Sequence, residues 1–219
     1  MTLQEMITDI RYRVNEPTAN FWSDAELIVW LNEAQDNLVS RLPLEMLSDL
    51  AAIDTATMSD VSGYSQGSLP ASFVKLEKAE INNHQCMKMA VKDLHALKHN
   101  EFFTDSNYEP YFSVIWNDKI RIYPTATPTA TLYYIKQPGA LAAPATDSSA
   151  LPNHLHHLLV LYASARAKQK QEEHNTAQSF LAEYERYIKE LKNIFHGEIS
   201  APPNVPNVPP RGREQPRID

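Results

Sequence analysis

The spacing of apolar residues switches twice along this chain, from a helical period to a strand period and back, and that double switch restricts the folds open to it. Leu3, Met6, Ile7, Ile10 and Val14 recur three or four apart, which predicts one helix over 3–14 ending at the turn signal Asn15-Glu16-Pro17. Ser23 and Glu26 form a capping box, Ser-x-x-Glu, in which each side chain satisfies a free backbone N–H of the other's turn. Leu27, Trp30, Leu31, Ala34 and Leu38 make the apolar stripe of that second helix, and Pro43 ends or kinks it.

From about 50 to 136 the period is that of strands. Short β-leaning runs fall at 50–57, 73–81, 111–116, 119–123 and 131–136, with Asn117-Asp118 as a hairpin turn between two of them. One short helix, near 90–99, interrupts the series. In the last run Leu132 and Tyr134 alternate with Tyr133 and Ile135, so both faces are apolar and the strand should be covered on both sides. The helical period then returns. Pro152 is a good first-turn residue for a helix carrying Leu155, Leu158, Leu159 and Tyr162. A second helix over 174–195 places Ala177, Leu181, Tyr184, Ile188, Leu191 and Phe195 on a heptad-like seam, with Gly197 ending it.

These elements predict a mainly α fold with a β insertion (α+β): a four-helix bundle drawn from both chain ends, a small antiparallel β subdomain, and an extended C-terminal arm. The expected segments are 1–49 for the N-terminal helices, 50–150 for the β-rich insertion, 151–197 for the C-terminal helices and 198–219 for the arm. That arm differs in kind. Six of the chain's 15 prolines, Pro202, Pro203, Pro206, Pro209, Pro210 and Pro216, fall within it, and proline fixes φ and removes a donor. With few apolar groups it cannot fold alone, so it is expected to be mobile and polyproline-like until a neighbouring subunit or partner binds it.

Composition narrows the function. A net charge of −7 argues against an outer surface that wraps nucleic acid, though it suits a lumen that faces DNA without gripping it. The single cysteine, Cys86, leaves no intrachain disulfide framework and none of the common Cys-rich zinc sites, and it fits a reducing compartment. Neither a membrane-spanning run nor a signal peptide is read in the chain, which makes a soluble intracellular protein the expectation.

Candidate chemistry is sparse. His154 and His157 stand at i, i+3 with His156 between them, but no further ligand or orienting carboxylate is spaced to complete a metal site, and a polar first turn is the better reading. Glu172-Glu173, Glu183-Glu185 and Asp24-Glu26 have flanking Lys or Arg on helices, the pattern of a solvated face rather than of an acid–base pair. Cys86 has His84 two residues before it, yet a solitary cysteine is more often a small buried apolar residue. Trp22, Trp30, Tyr111, Phe112, Trp116, Tyr133 and Tyr134 could stack on bases, but at helix and strand periods they read as core. With five glycines there is no phosphate loop, dinucleotide fingerprint or nucleophile elbow. No catalytic, metal or cofactor site is expected, and the chain is read as not an enzyme.

Three stretches in order carry a family resemblance. Arg11-x-Arg13-x-Asn15-Glu16 precedes Phe21-Trp22-Ser23-Asp24-Ala25-Glu26-Leu27 and Trp30-Leu31-Asn32-Glu33-Ala34. Leu69-Pro70-x-x-Phe73, Lys119-Ile120-x-Ile122-x-Pro124, Thr131-Leu132-Tyr133-Tyr134 and Pro138 follow. Leu151-Pro152 then opens a helix with Ala163, Ala165 and Ala167, ahead of a Tyr-containing helix. Over residues 3–195 this order resembles the phage head-to-tail connector (adaptor) proteins, including the tail accessory factors of short-tailed phages. The resemblance implies a structural virion subunit at the head–tail junction, made in the host cytoplasm, with no membrane partner. It implies a ring, typically a dodecamer, docked under the portal protein, in contact with neighbouring copies and with a tail tube, nozzle or stopper protein. DNA would pass through the lumen without sequence-specific contact. The arm would bind a partner through Pro202, Pro203, Val205, Pro206, Val208, Pro209 and Pro210, with Arg211, Arg213 and Arg217 supplying ionic contacts. Some relatives are associated with cell-wall hydrolysis, but no catalytic motif here carries that over. A tail-associated hydrolase, a stopper or tail-tube protein, and a DNA-binding packaging factor are the competing readings.

Overall fold

The computed structural model describes residues 1–16, 18, 21–82, 84–98, 110–115, 118–124 and 129–199. Helix α1 (Leu3–Arg13) starts with a capping box formed by Thr2 and Glu5, and Leu3, Met6, Ile7, Ile10 and Val14 are all buried. Asn15 takes a left-handed φ of 61° and turns the chain, with the Glu16 N–H donating to the Arg11 carbonyl at 2.8 Å. Helix α2 (Asp24–Arg41) opens on the Ser23/Glu26 capping box predicted from the sequence. Leu27, Leu31, Ala34 and Leu38 of its stripe are buried and Trp30 is half-buried. The helix stops just before Pro43, which leads into a 3₁₀ turn over Leu44–Leu50.

Helix α3 (Val91–Lys98) lies within the β region, close to the 90–99 expected, while α4 (His156–Lys170) and α5 (His174–Ile199) close the described part. Helix α4 is central: α1, α2 and α5 all pack on it. Leu158, Leu159, Val160, Leu161, Ala163, Ala165 and Ala167 are essentially inaccessible to solvent, and the three alanines let neighbouring helices approach closely. Each fully buried leucine contributes about 1.5–3 kcal/mol through the water it sheds. On α5, Ala177, Tyr184 and Ile188 are buried and Leu181 and Leu191 half-buried, so the heptad-like seam faces α4. Gly197 does not end this helix, which runs on to Ile199. Within a long helix that already faces a partner, one glycine costs only about 1 kcal/mol against alanine, too little to stop it.

The β region corrects the expected fold class. It is not a small antiparallel subdomain beside a four-helix bundle but a closed barrel of seven strands, in the order β1-β2-β6-β5-β4-β3-β7 with β7 pairing back to β1. The strands are β1 (Ala51–Asp60), β2 (Ser65–Ser68), β3 (Phe73–Ile81), β4 (His84–Lys88), β5 (Tyr111–Ile115), β6 (Lys119–Tyr123) and β7 (Thr129–Lys136). The β4–β5 pair is parallel. Closure depends on two short strands with weak sequence signals. Ser65-Gln66-Gly67-Ser68 has no β-branched or aromatic residue, and neither does His84–Lys88, which is only five residues long. Strands β5 and β6 pair antiparallel from Ile115↔Lys119, as a hairpin requires, while Trp116 and Asn117 lie outside the described residues.

The barrel interior is packed with Met58, Leu69, Leu76, Ile81, Phe112, Ile120, Ile122, Leu132 and Tyr134. Ile135, on the other face of β7, belongs to the helical core together with Leu42, Leu50 and Leu141. The two-sided strand predicted from Leu132–Ile135 therefore joins two separate cores. Gly67 leaves no room for a side chain against β1: a Cβ there would sit 2.6 Å from the Met58 sulfur and 3.0 Å from the Thr57 carbonyl oxygen. Gly67→Val is expected to cost about 1–3 kcal/mol by overpacking, read as a lower urea midpoint. An unchanged midpoint would show that the barrel wall can yield there.

Candidate interaction surface

The α1–α2 corner is the most elaborately wired part of the surface. Arg11 follows Ile7 by one helical turn and so falls on the buried side of α1. Its guanidinium donates to the Trp22 carbonyl at 2.9 Å and the Asp24 carboxylate at 2.6 Å, and lies 3.5 Å from Glu16. Glu16 in turn accepts from the backbone N–H groups of Phe21 and Trp22. Trp22 is buried behind this clamp, with the Phe21 ring edge-on to it at 5.0 Å. The clamp projects two aromatic side chains outward: Phe21 is 56% exposed and Tyr12, in the last turn of α1, 73% exposed. Lys170 lies 5.8 Å from the centre of the Phe21 ring and pairs with Glu26. That pairing holds the Glu26 carboxyl below its ordinary range, the Lys170 hydrogen bond being the main cause.

The motif that carries the family resemblance at the N-terminus is thus a structural clamp. Sequence reasoning singled out Arg11, Glu16 and Asp24 without finding their connection. The usable signal was a charged residue at a buried position of the α1 stripe.

The histidines do not converge. His156 is buried, its Nε2 2.8 Å from the Leu151 carbonyl and its Nδ1 3.0 Å from the Met1 amino group. His154 is exposed, and His157 packs edge-on against Tyr187 at 4.9 Å. Among the described residues, no three His, Cys, Asp or Glu side chains are grouped to hold a metal ion. Burial holds the His156 pKa below its ordinary value of 6.5. The neutral ring accepts from the Met1 ammonium, and a proton on Nδ1 would remove that bond and set two cations together. A depressed folded-state pKa means that this stabilisation is complete above 6.5 and is lost as pH falls from there toward the folded value. Thermal unfolding temperature is expected to drop with pH in that window, and His156→Gln to flatten the drop. A His156→Gln profile that fell as steeply would assign the loss to other groups.

The carboxylates flagged on helices are exposed or half-buried, and most have a cation beside them. Asp24 pairs with Arg11, Glu26 with Lys170, Glu173 with Lys168 at 3.0 Å, and Glu185 with Arg41. Cys86 is buried in the barrel core, where desolvation pushes its thiol up to about 12, and His84 is exposed. Trp22, Phe112 and Tyr134 are core residues, and Trp30, Tyr111 and Tyr133 are half-buried. Tyr133 donates to Glu80 at 2.9 Å beneath Lys78. The arm residues, Pro202 through Arg217, lie outside the described residues. No helix among the described residues is long and apolar enough to cross a membrane.

The described residues thus form a filled barrel joined to a helical layer, with two exposed aromatics at the α1–α2 corner. The model of the SU10 adaptor protein family matches residues 1–206, and the chain belongs to that family. This is a family of structural phage proteins, not of enzymes, so the chain is an adaptor-type component of a virion. A search of the curated proteins found no match.

Proposed function

We propose that the chain is the repeating subunit of a head-to-tail adaptor ring, joining the portal protein to a tail tube, nozzle or stopper protein and lining part of the DNA channel. The family match over residues 1–206 carries this reading. The chemistry of the chain supports it. Nine acidic residues stand against three basic ones in the first fifty, a balance that suits passage of DNA without capture. A closed barrel leaves no sheet edge for unplanned pairing between crowded copies. Ring symmetry multiplies weak contacts, so an arm bearing Arg211, Arg213 and Arg217 need not bind tightly in each copy.

The direct test is electron microscopy of the purified chain with and without its portal. Rings seated on the portal are expected, and their absence at saturating concentration would defeat the reading. A chain stopped after Ile199, which keeps α5 whole, is expected to bind portal at least about tenfold more weakly, since avidity is lost in every copy. Undiminished binding would remove the arm from the docking contacts.

A further inference from the structure

We propose that the C-terminal arm of one copy docks on the outer face of α1 of a neighbouring copy, with Tyr12 as the aromatic platform and Asp9 and Glu5 as counter-charges. This rests on the adaptor reading and names the surface that the arm meets. The arm has a register of its own. Pro203, Pro206 and Pro209 recur every three residues, as do Pro202, Val205 and Val208, while Asn204 and Asn207 fall on the remaining edge. Polyproline II has three residues per turn, so in that conformation the arm presents two adjacent apolar edges and one polar edge. Segments of this kind dock against exposed aromatic rings, and flanking arginines fix their direction by pairing with acids.

The outer face of α1 offers those partners. Gln4, Glu5, Thr8, Asp9 and Tyr12 line a shallow groove of about 320 Å³. The spacings correspond. With Pro206 and Pro209 against Tyr12, Arg211 and Arg213 lie about 6 and 12 Å further along the rod. Asp9 and Glu5 lie about 4.5 and 10.5 Å back along α1 from Tyr12. The arm therefore runs antiparallel to the helix. Asp9 already pairs with Arg13 at 3.2 Å, but such an exposed i, i+4 pair is weak and an arm arginine can share it. Phe21, the other projecting aromatic, is the poorer platform, because its ring is already engaged by Lys170 and by Trp22.

Geometry also selects a second copy. Met1 contacts His156 and Tyr187 packs on His157, so α1 begins, and α5 runs outward, at the same end of α4. Tyr12 lies about 16 Å along α1 from that end and α5 runs on about 18 Å the other way, whereas residues 200–206 span at most about 25 Å, too little to bring Pro206 to the Tyr12 of its own chain.

The test uses a fluorescent peptide of residues 200–219 titrated onto the full chain, followed by anisotropy. Tyr12→Ala and Asp9→Asn are each expected to weaken binding at least about fivefold, the size of an interface anchor, and Phe21→Ala to leave it unchanged. No binding, or equal binding by Tyr12→Ala, would overturn the proposal. In the full chain, a photoreactive benzoylphenylalanine at position 12 is expected to cross-link to the arm of an isotopically distinct copy. Cross-links only within one chain, or only to portal, would also overturn it, the latter leaving the adaptor reading intact. Failure of the chain to assemble on portal while peptide and cross-link results hold would instead count against the adaptor reading alone.

Discussion

Arg11→Ala is expected to lower unfolding free energy by about 3 kcal/mol, one of the two largest effects we anticipate from a single substitution. Breaking a buried ion pair by removing one partner typically costs about 3–5 kcal/mol, because the remaining charge stays desolvated. The lower end applies here for two reasons. Asp24 is half-exposed and regains water, while Glu16 keeps its backbone N–H donors from Phe21 and Trp22. Arg11→Met preserves the packing of the stem but not the charge, and should cost nearly as much. Adding Glu16→Gln to Arg11→Met should recover part of the loss by taking a carboxylate charge out of the buried site. Urea unfolding of the four proteins measures this. A loss below about 1 kcal/mol for Arg11→Ala would reduce the clamp to a surface feature.

The second large effect concerns the joint between the two cores. Ile135→Ala is expected to cost about 2–5 kcal/mol, the range for deleting a large aliphatic side chain from a packed site. Ile135 is about 1% exposed and sits among helical-core residues, whereas Leu132 and Tyr134 of the same strand fill the barrel. The consequence is distributed. Hydrogen exchange should quicken both in β7 with its partners β1 and β3 and in α4, because one strand serves both bodies. Leu132→Ala should cost a similar amount but act chiefly on the barrel. Exchange raised only in the barrel by Ile135→Ala would show that the cores are not coupled through this strand.

The two substitutions mark different degrees of legibility. Ile135 was visible as part of a run apolar on both faces, and its two-sided burial follows from strand periodicity. Arg11 was visible only as an anomaly, a cation on a buried stripe, because its partners Glu16 and Asp24 are brought to it by the turn at Asn15. The helices were readable to within a few residues, since their signals are local: a capping box at Ser23 and Glu26, and stripes three and four apart. Gly197 shows the limit of a local signal, because a single glycine in a long helix costs too little to end it.

The barrel lay beyond such reading. Strands β2 and β4 have little intrinsic preference for extended structure; each has a hairpin neighbour, β1 or β3, but the pairings that close the barrel, with β6 and β5, come from further along the chain. The sequence by itself determined where the helices start, which faces they bury, that one strand is covered on both sides, and that prolines recur three residues apart over 203–209. Its motif order also pointed to the adaptor family. Only the tertiary structure decided that the strands close into a barrel, that Arg11 clamps a corner, and that Tyr12 and Phe21 stand exposed there. Closure depends on pairings such as β1 with β7 and β2 with β6, far apart in the chain, and the clamp on a turn that folds Glu16 and Asp24 back onto Arg11; the energy of both exists only after the chain has been brought together.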